Sequence, residues 1–323
     1  MAHDDYLSHP MNVVDGIRSE MDRAAWEKAM NEHELRFENV VAPHVRRRSR
    51  HEKDPVADFL FEYYRFRPAH LQRWHPGTGV LLIDADAERF PDRDGYVQTA
   101  RGRVQIPTSS FFGTNLDRFE TGTKWMLSLL EATQARTPRF GCFGLHEWAM
   151  LYRSEDQRHA GVTLRVSPDE LASVVETAGL RCTHFDAFRF FTEKARPLNP
   201  KQLSHLDMVD FEQPGCLHAN MDVYRWAFKR SPWVPSKLIL DAFILAMEIR
   251  HLDMASSPYD LQDQGIEAVR VETHEGQDQF MRQQRAFSEN ARPLRAALID
   301  ELRFLLKQLA SLHEAFAIPR PAS

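Results

Sequence analysis

Leucines recur every three or four residues near the end of the chain, and this pattern constrains the fold more than any other feature. They are Leu298, Leu302, Leu305, Leu309 and Leu312. Such spacing places the side chains on one stripe of an α-helix, and that stripe needs a covering surface. The pattern lasts only about two heptads, whereas a coiled coil needs three or more. We therefore predict that the stripe packs into the core of the protein, with a dimer seam as the alternative.

Other segments with helical periodicity lie at both ends of the chain and in its middle. A helix is predicted over residues 21–41, with a stripe formed by Trp26, Met30, His33, Phe37 and Val40. Pro43 is expected to end or kink this helix. Further helices are predicted over residues 116–135, after a capping box at Ser167, and from Ser236 to about residue 253.

Strands are predicted in fewer places. They are residues 80–83, 95–106 (as a hairpin about Arg101-Gly102), 162–166 and the alternating, aromatic-rich residues 181–191. The fold class that follows is α+β, with a helical N-terminal layer, a small central β-sheet and a mainly helical C-terminal half. We expect one compact domain over residues 21–316, a disordered N-terminus over residues 1–20 and a tail over residues 317–323.

Composition limits the function classes. A net charge of −5 argues against a protein that coats nucleic acid in bulk, although a local basic patch remains compatible with it. No apolar stretch approaches the roughly 18 residues of a membrane span, so no membrane partner is expected. The chain begins without a targeting signal, and its three cysteines imply no disulfide framework, so a cytoplasmic location is expected.

Each cysteine is followed closely by a histidine, and a carboxylate lies near each histidine. The three clusters are Cys142, His146 and Glu147; Cys182, His184 and Asp186; and Cys216, His218 and Asp222. On a strand, Cys182, His184 and Asp186 would point to one face. On a helix, His218 and Asp222 would share a face.

One interpretation of these clusters is a metal site. Two histidines and one carboxylate with open positions are typical of non-haem iron enzymes, and zinc uses similar ligands with a bound water. The candidate ligands are His146, His184, Asp186 and His218. The alternative is that the cysteines are small buried hydrophobic residues and the histidines are hydrogen-bonded structural groups.

A second interpretation needs no metal. A carboxylate in an aromatic pocket can activate water or stabilise a sugar cation, and apolar surroundings raise its pKa. The candidate catalytic residues are Asp186, Asp222 and Glu147. The alternative is that they form ion pairs, with Arg189 or Arg225 as partners.

A basic run early in the chain is a candidate nucleic-acid contact. It consists of Arg46, Arg47, Arg48, Arg50 and Lys53. These cations can contact phosphates, and the aromatic residues after them can stack on bases. The alternative is a solvated helix end beside a core helix.

Five segments resemble a largely actinobacterial family commonly labelled 3-methyladenine DNA glycosylase. They are FLFEYYRFRP (59–68), RWHPG (73–77), FGCFGLHEWAM (140–150), THFDAFRFF (183–191) and EQPGCLHANMD (212–222). The resemblance spans roughly residues 40–295 and carries over no catalytic residue. It implies hydrolysis of the N-glycosidic bond of an alkylated purine flipped out of damaged DNA.

In that activity Asp222 or Asp186 would position water and stabilise the sugar cation, while the run from Arg46 to Arg50 would hold phosphates. The alternative functions are a metal-dependent enzyme that uses iron or zinc on a small-molecule substrate, and a non-catalytic ligand-binding protein. The sequence leaves open whether the three clusters meet in space.

Overall fold

A computed structural model describes residues 16–54, 56–154 and 163–316. The predictions for residues 1–15 and for the tail over residues 317–323 lie outside these ranges, as do Pro55 and Val162. Residues 19 and 20, expected to be disordered, belong instead to a short strand.

Helices make up most of the described chain. They are α1 (Arg23–Val40), α2 (Ala42–Ser49), α3 (Ala57–Glu62), α4 (Pro68–Gln72), α5 (Ser109–Phe112), α6 (Leu116–Ala135), α7 (His146–Leu151), α8 (Pro168–Ala178), α9 (Phe185–Phe188), α10 (Met208–Phe211), α11 (Leu217–Phe228), α12 (Ser236–Ala255) and α13 (His274–Phe316). The predicted helices at 21–41, 116–135, 168 onward and 236–253 are therefore confirmed. Pro43 lies in the first turn of α2, where its missing N–H leaves no hydrogen bond unmade.

The sheet has four short strands. They are β1 (Ser19–Met21), β2 (Val80–Ile83), β3 (Tyr96–Thr99) and β4 (Gly102–Gln105), in the order β1-β2-β4-β3. β1 runs parallel to β2, and the other neighbours are antiparallel. The strand at 80–83 and the hairpin within 95–106 are confirmed, and so is the α+β fold class.

The predicted strand over residues 181–191 is wrong. Its first half has no strand partner, and its second half forms α9. Asn199 explains the difference, because its side-chain Oδ1 accepts from Cys182 N at 2.7 Å and its Nδ2 donates to Cys182 O at 3.2 Å. One amide side chain thus takes the place of a neighbouring strand. In the predicted strand at 162–166, the described residues make only an isolated bridge between Leu164 and Tyr259.

The leucine stripe of α13 lies in the interior. Leu298, Leu302, Leu305 and Leu309 are each 0% exposed, which confirms core packing rather than a dimer seam. α12 lies deepest: it packs against α11 and α13 and is buried around most of its circumference. No helix in the described ranges is long and apolar enough to cross a membrane.

Candidate functional site

Three histidines from distant segments meet beside α12. The imidazole centroids of His146 and His218 lie 4.3 Å apart, and those of His184 and His218 lie 5.4 Å apart. His146 is the first residue of α7, His184 precedes α9, and His218 lies in the first turn of α11. The three predicted Cys/His clusters therefore do meet in space.

The turn before α7 is built for close packing. Phe143 has a φ of +49° and Gly144 a φ of +67°, a region that L-residues other than glycine and asparagine rarely adopt. A Cβ on Gly144 would lie 2.4 Å from Ser256 Oγ, so only glycine fits without displacing that hydroxyl. This turn brings His146 against α12.

The first group of candidate ligands is His146, His218 and Asp253, whose donor atoms lie within 4.8 Å of one another. His146 Nε2 lies 3.3 Å from Asp253 Oδ1. Arg250 contacts the other oxygen, Asp253 Oδ2, and donates to Glu147 Oε1 at 3.0 Å. Asp253 Oδ1 is buried and has no well-directed hydrogen bond from any residue in the described part of the chain. This oxygen is therefore left to His146, its ion-pair partner.

Charges around the first group set its protonation. Burial alone would lower the pKa of His146, but the carboxylates of Asp253 and Glu147 outweigh burial and raise it to about 9. Burial lowers the pKa of His218 well below its usual value, and the charge of His146 lowers it further. His218 is thus a neutral imidazole near pH 7, the form that binds metal ions, whereas His146 must lose a proton to bind one.

The second group is His184, Asp186 and Asp222. Arg225 Nη1 donates to Oδ2 of both Asp186 and Asp222. The two remaining carboxylate oxygens are also occupied, by the Tyr64 hydroxyl 2.7 Å from Asp222 Oδ1 and by Arg189 Nε 3.1 Å from Asp186 Oδ1. All four oxygens of this group are therefore engaged by cations or by a hydroxyl.

Glu212 adjoins the second group, and the sequence analysis missed it. Its Oε1 lies 3.1 Å from His184 Nδ1, and both residues are almost fully buried. Burial raises the pKa of Glu212 in spite of the opposing charge of His184. Burial would lower the pKa of His184, but Glu212 and then Asp222 outweigh it and raise that pKa. Glu212 and His184 therefore form a buried pair suited to sharing a proton.

The first group opens into a cavity of about 520 Å³. Its wall includes His146, His218, Asp253 and all three cysteines. Burial raises the pKa of each thiol, so the thiols are protonated near pH 7. Arg139, Arg181 and Lys201 also line the cavity, and Asp253 is the single carboxylate among the lining residues that the structure describes. A cavity of this charge favours an anionic ligand.

A smaller cavity of about 250 Å³ lies on the other side of the histidines. Its wall includes the aromatic rings of Phe59, Tyr63 and Phe190 and the carboxylates of Glu147 and Asp186. His146, Ala187 and His218 line both cavities and separate them.

The predicted raised pKa of the candidate catalytic carboxylates is wrong for two of them. Burial would raise the pKa of Glu147, but His146 and Arg250 lower it to about 2. Burial acts in the same direction on Asp186, and Arg225 outweighs it, so that pKa is also lowered. The alternative of ion pairs with Arg189 or Arg225 is confirmed for Asp186, whereas the pairing of Glu147 with Arg250 was not predicted.

The basic run is largely paired with carboxylates. Arg47 and Arg48 both contact Asp58, at 2.6 Å and 3.1 Å. The other arginine pairs are Arg46 with Glu38 and Arg50 with Glu52. Lys53 makes no ion pair within the described ranges. These contacts agree with the alternative of a solvated helix end; they leave nucleic-acid binding a prediction.

Asp253 was also absent from the predicted ligands. One signal for it was present, because Arg250 and Asp253 are oppositely charged residues three positions apart in the mainly apolar α12. Charged residues inside an apolar helix are rarely buried without a partner or a function.

No protein-family model, curated protein or solved structure matches this chain.

Proposed function

We propose that this protein is a metal-dependent enzyme that acts on a small anionic molecule, with a zinc or iron(II) ion held by His146, His218 and Asp253. The observation that carries the proposal is the position of Asp253 Oδ1, which lies 3.3 Å from His146 Nε2 at the wall of the large cavity and has no well-directed hydrogen bond from any described residue. Two ligand atoms that each lie about 2.1 Å from one tetrahedral zinc ion are about 3.4 Å apart. The spacing of this pair therefore suits a shared ion, and all donor atoms of the group lie within 4.8 Å of one another.

The second group is a poorer site for an ion. Arg225 already bridges the two carboxylates of Asp186 and Asp222, and a cation would have to displace it. In the first group Arg250 contacts Oδ2 of Asp253, and the group that faces Oδ1 is His146, itself a candidate ligand, so an ion there would displace only a proton. Arg250 then acts as an outer-shell partner that fixes the carboxylate.

A metal ion with three protein ligands keeps open positions for water or substrate and acts there as a Lewis acid. Arg139, Arg181 and Lys201 in the cavity wall would bind an anionic group of the substrate. The Glu212–His184 pair, beside His218, would supply or accept a proton.

Metal content measured by inductively coupled plasma mass spectrometry tests this assignment. Purified protein should contain about one equivalent of zinc or iron, and His218→Gln should lose it. The matched control is His184→Gln, which removes the histidine of the second group and should retain the metal. His218 is half-buried and makes no ion pair within the described ranges, so its replacement is expected to preserve the fold, which circular dichroism checks. Metal-free wild-type protein, or loss of metal only in His184→Gln, would contradict the assignment.

The small cavity favours a second candidate, an N-glycosidase that acts on alkylated purines. Three aromatic rings surround a space suited to a planar base, and the carboxylates of Glu147 and Asp186 face it. Because both carboxylates are ionised near pH 7, they suit stabilisation of a sugar cation better than donation of a proton.

Base release from methylated duplex DNA tests this second candidate. Asp186→Asn should reduce release by about 100-fold, whereas a chelator should leave it unchanged. Release that requires metal, or the absence of release from wild-type protein, would count against the metal-free glycosidase.

A further inference from the structure

A groove of about 450 Å³ on another face of the protein concentrates positive charge. Its cationic lining residues are Arg118, Lys229 and Arg230, and none of the described residues in its wall is a carboxylate. The nearby Glu120 pairs with Lys124 instead. We call this feature the basic groove. It lies between α6 and the end of α11.

Arg230 is the most informative residue of the basic groove. It is 8% exposed, yet no carboxylate lies within ion-pair distance of it among the residues that the structure describes. Its Nε donates to Thr123 Oγ1 at 2.8 Å and its Nη1 to the Lys229 carbonyl at 3.1 Å. Burial lowers the pKa of Arg230 to about 10, because nothing nearby compensates the charge. A buried cation without a counter-charge is costly unless a ligand supplies one.

A comparison with Arg295 shows that Arg230 is unusual. Arg295 is also buried without a carboxylate, but the amide oxygens of Gln134 and Asn220 each accept from its guanidinium. Arg230 Nη2 has no such acceptor within the described ranges. A Cβ on Gly122 would lie 3.1 Å from Nη2, so the glycine leaves this nitrogen room at the groove wall.

Aromatic rings complete the wall. Trp125 and Trp226 lie 5.5 Å apart between centroids, with ring planes 75° apart. Lys229 Nζ lies 5.0 Å from the Trp226 centroid, and the Arg230 guanidinium lies 4.7 Å from that of Phe119. Flat apolar surface beside unpaired cations is the combination that binds a phosphate joined to an aromatic ring system.

We infer that the basic groove binds a nucleotide phosphate, with the phosphate at Arg230, Lys229 and Arg118 and the base against Trp125. This inference does not depend on the proposed metal site. A free nucleotide and a nucleic-acid strand both present a phosphate joined to a base. Binding measurements distinguish these two sources.

The test is titration of the full-length protein with three probes: inorganic pyrophosphate, ADP and a fluorescent single-stranded oligonucleotide. Wild-type protein should bind ADP, and Arg230→Gln should weaken binding by about tenfold or more, as expected for a charge-assisted hydrogen bond. Because Arg230 also contacts Thr123, its replacement removes a structural contact as well. Lys229 and Arg118 are exposed, so Lys229→Gln and Arg118→Gln test binding without changing the fold. Each should weaken binding by about threefold to tenfold.

Lys28→Gln is the matched control, because it removes an exposed cation of α1 that belongs neither to the basic groove nor to the basic run, and it should leave binding unchanged. Tighter binding of the oligonucleotide than of ADP would assign a strand as the ligand, and equal binding would assign a free nucleotide. The inference is overturned if none of the three probes binds, or if Lys229→Gln and Arg118→Gln bind as tightly as wild type.

Discussion

Two buried aspartates near the histidines differ in what their oxygens contact. Both oxygens of Asp222 are occupied, by Tyr64 and Arg225, whereas Asp253 contacts Arg250 through one oxygen and His146 through the other. An ion at Asp222 would have to displace Arg225, whereas an ion at Asp253 would replace the proton of His146. This difference separates the two candidate metal groups.

His75 provides a residue-scale prediction on pH. Burial lowers its pKa to about 3, with a smaller effect from His33. Because the unfolded chain has the higher pKa, it takes up a proton that the folded protein does not as pH falls below about 6.5. The free energy of unfolding should therefore fall by about 2 kcal/mol between pH 7 and pH 5 through this residue.

Urea denaturation at both pH values checks this prediction. In His75→Gln the drop between pH 7 and pH 5 should be smaller than in wild type by that amount. An identical drop in the two proteins would show that His75 is protonated, or exposed, in the folded state.

The basic run yields a second residue-scale prediction, on stability. The side chains of Arg47 and Asp58 are only 16% and 12% exposed, whereas those of Arg50 and Glu52 are 65% and 53% exposed. Arg47→Ala should lower the free energy of unfolding by about 2 kcal/mol, because it leaves the Asp58 carboxylate undercompensated. Arg50→Ala should lower it by less than about 0.5 kcal/mol. Equal effects in denaturant titrations would refute this assignment.

At the scale of elements, long helices were predictable from sequence and short irregular segments were not. The apolar period of α6 predicts both of its ends, Leu116 and Ala135. Residues 181–191 have a strand-like alternation, but the backbone of Cys182 bonds to the Asn199 side chain and Phe185–Phe188 is helical, and no local pattern indicates either. The periodicity of apolar residues indicates which face of an element is buried. It does not indicate which group forms hydrogen bonds with the backbone.

The leucine stripe of α13 gives the element-scale prediction. Leu302 is 0% exposed and belongs to the main core. Leu302→Ala should lower the free energy of unfolding by about 3 kcal/mol, through lost burial and the cavity that remains. Lys307→Ala, on the exposed face of the same helix, should change it by less than about 0.5 kcal/mol. Similar midpoints for the two variants in thermal or urea denaturation would contradict the packing of this stripe.

At the scale of the whole molecule, the site is assembled from four segments that are far apart in the sequence. The Cys/His clusters marked three of them, since a cysteine, a histidine and a carboxylate recur together. The fourth segment is α12, which supplies Asp253. Glu212, which pairs with His184, was missed although it adjoins the third cluster. The sequence identifies residue types suited to chemistry, but long-range packing decides which carboxylate faces which histidine.

The central claim concerns which atoms hold the ion, and the cavity wall offers thiols as well as imidazoles and a carboxylate. X-ray absorption at the K edge of the bound metal tests this most directly, because zinc–nitrogen and zinc–sulfur distances differ, at about 2.0–2.1 Å and about 2.3 Å. A site built on two histidines and one aspartate predicts a first coordination shell of nitrogen and oxygen only, with the outer scattering of two imidazoles. A sulfur shell, or protein that binds no metal, would contradict a site built on His146, His218 and Asp253.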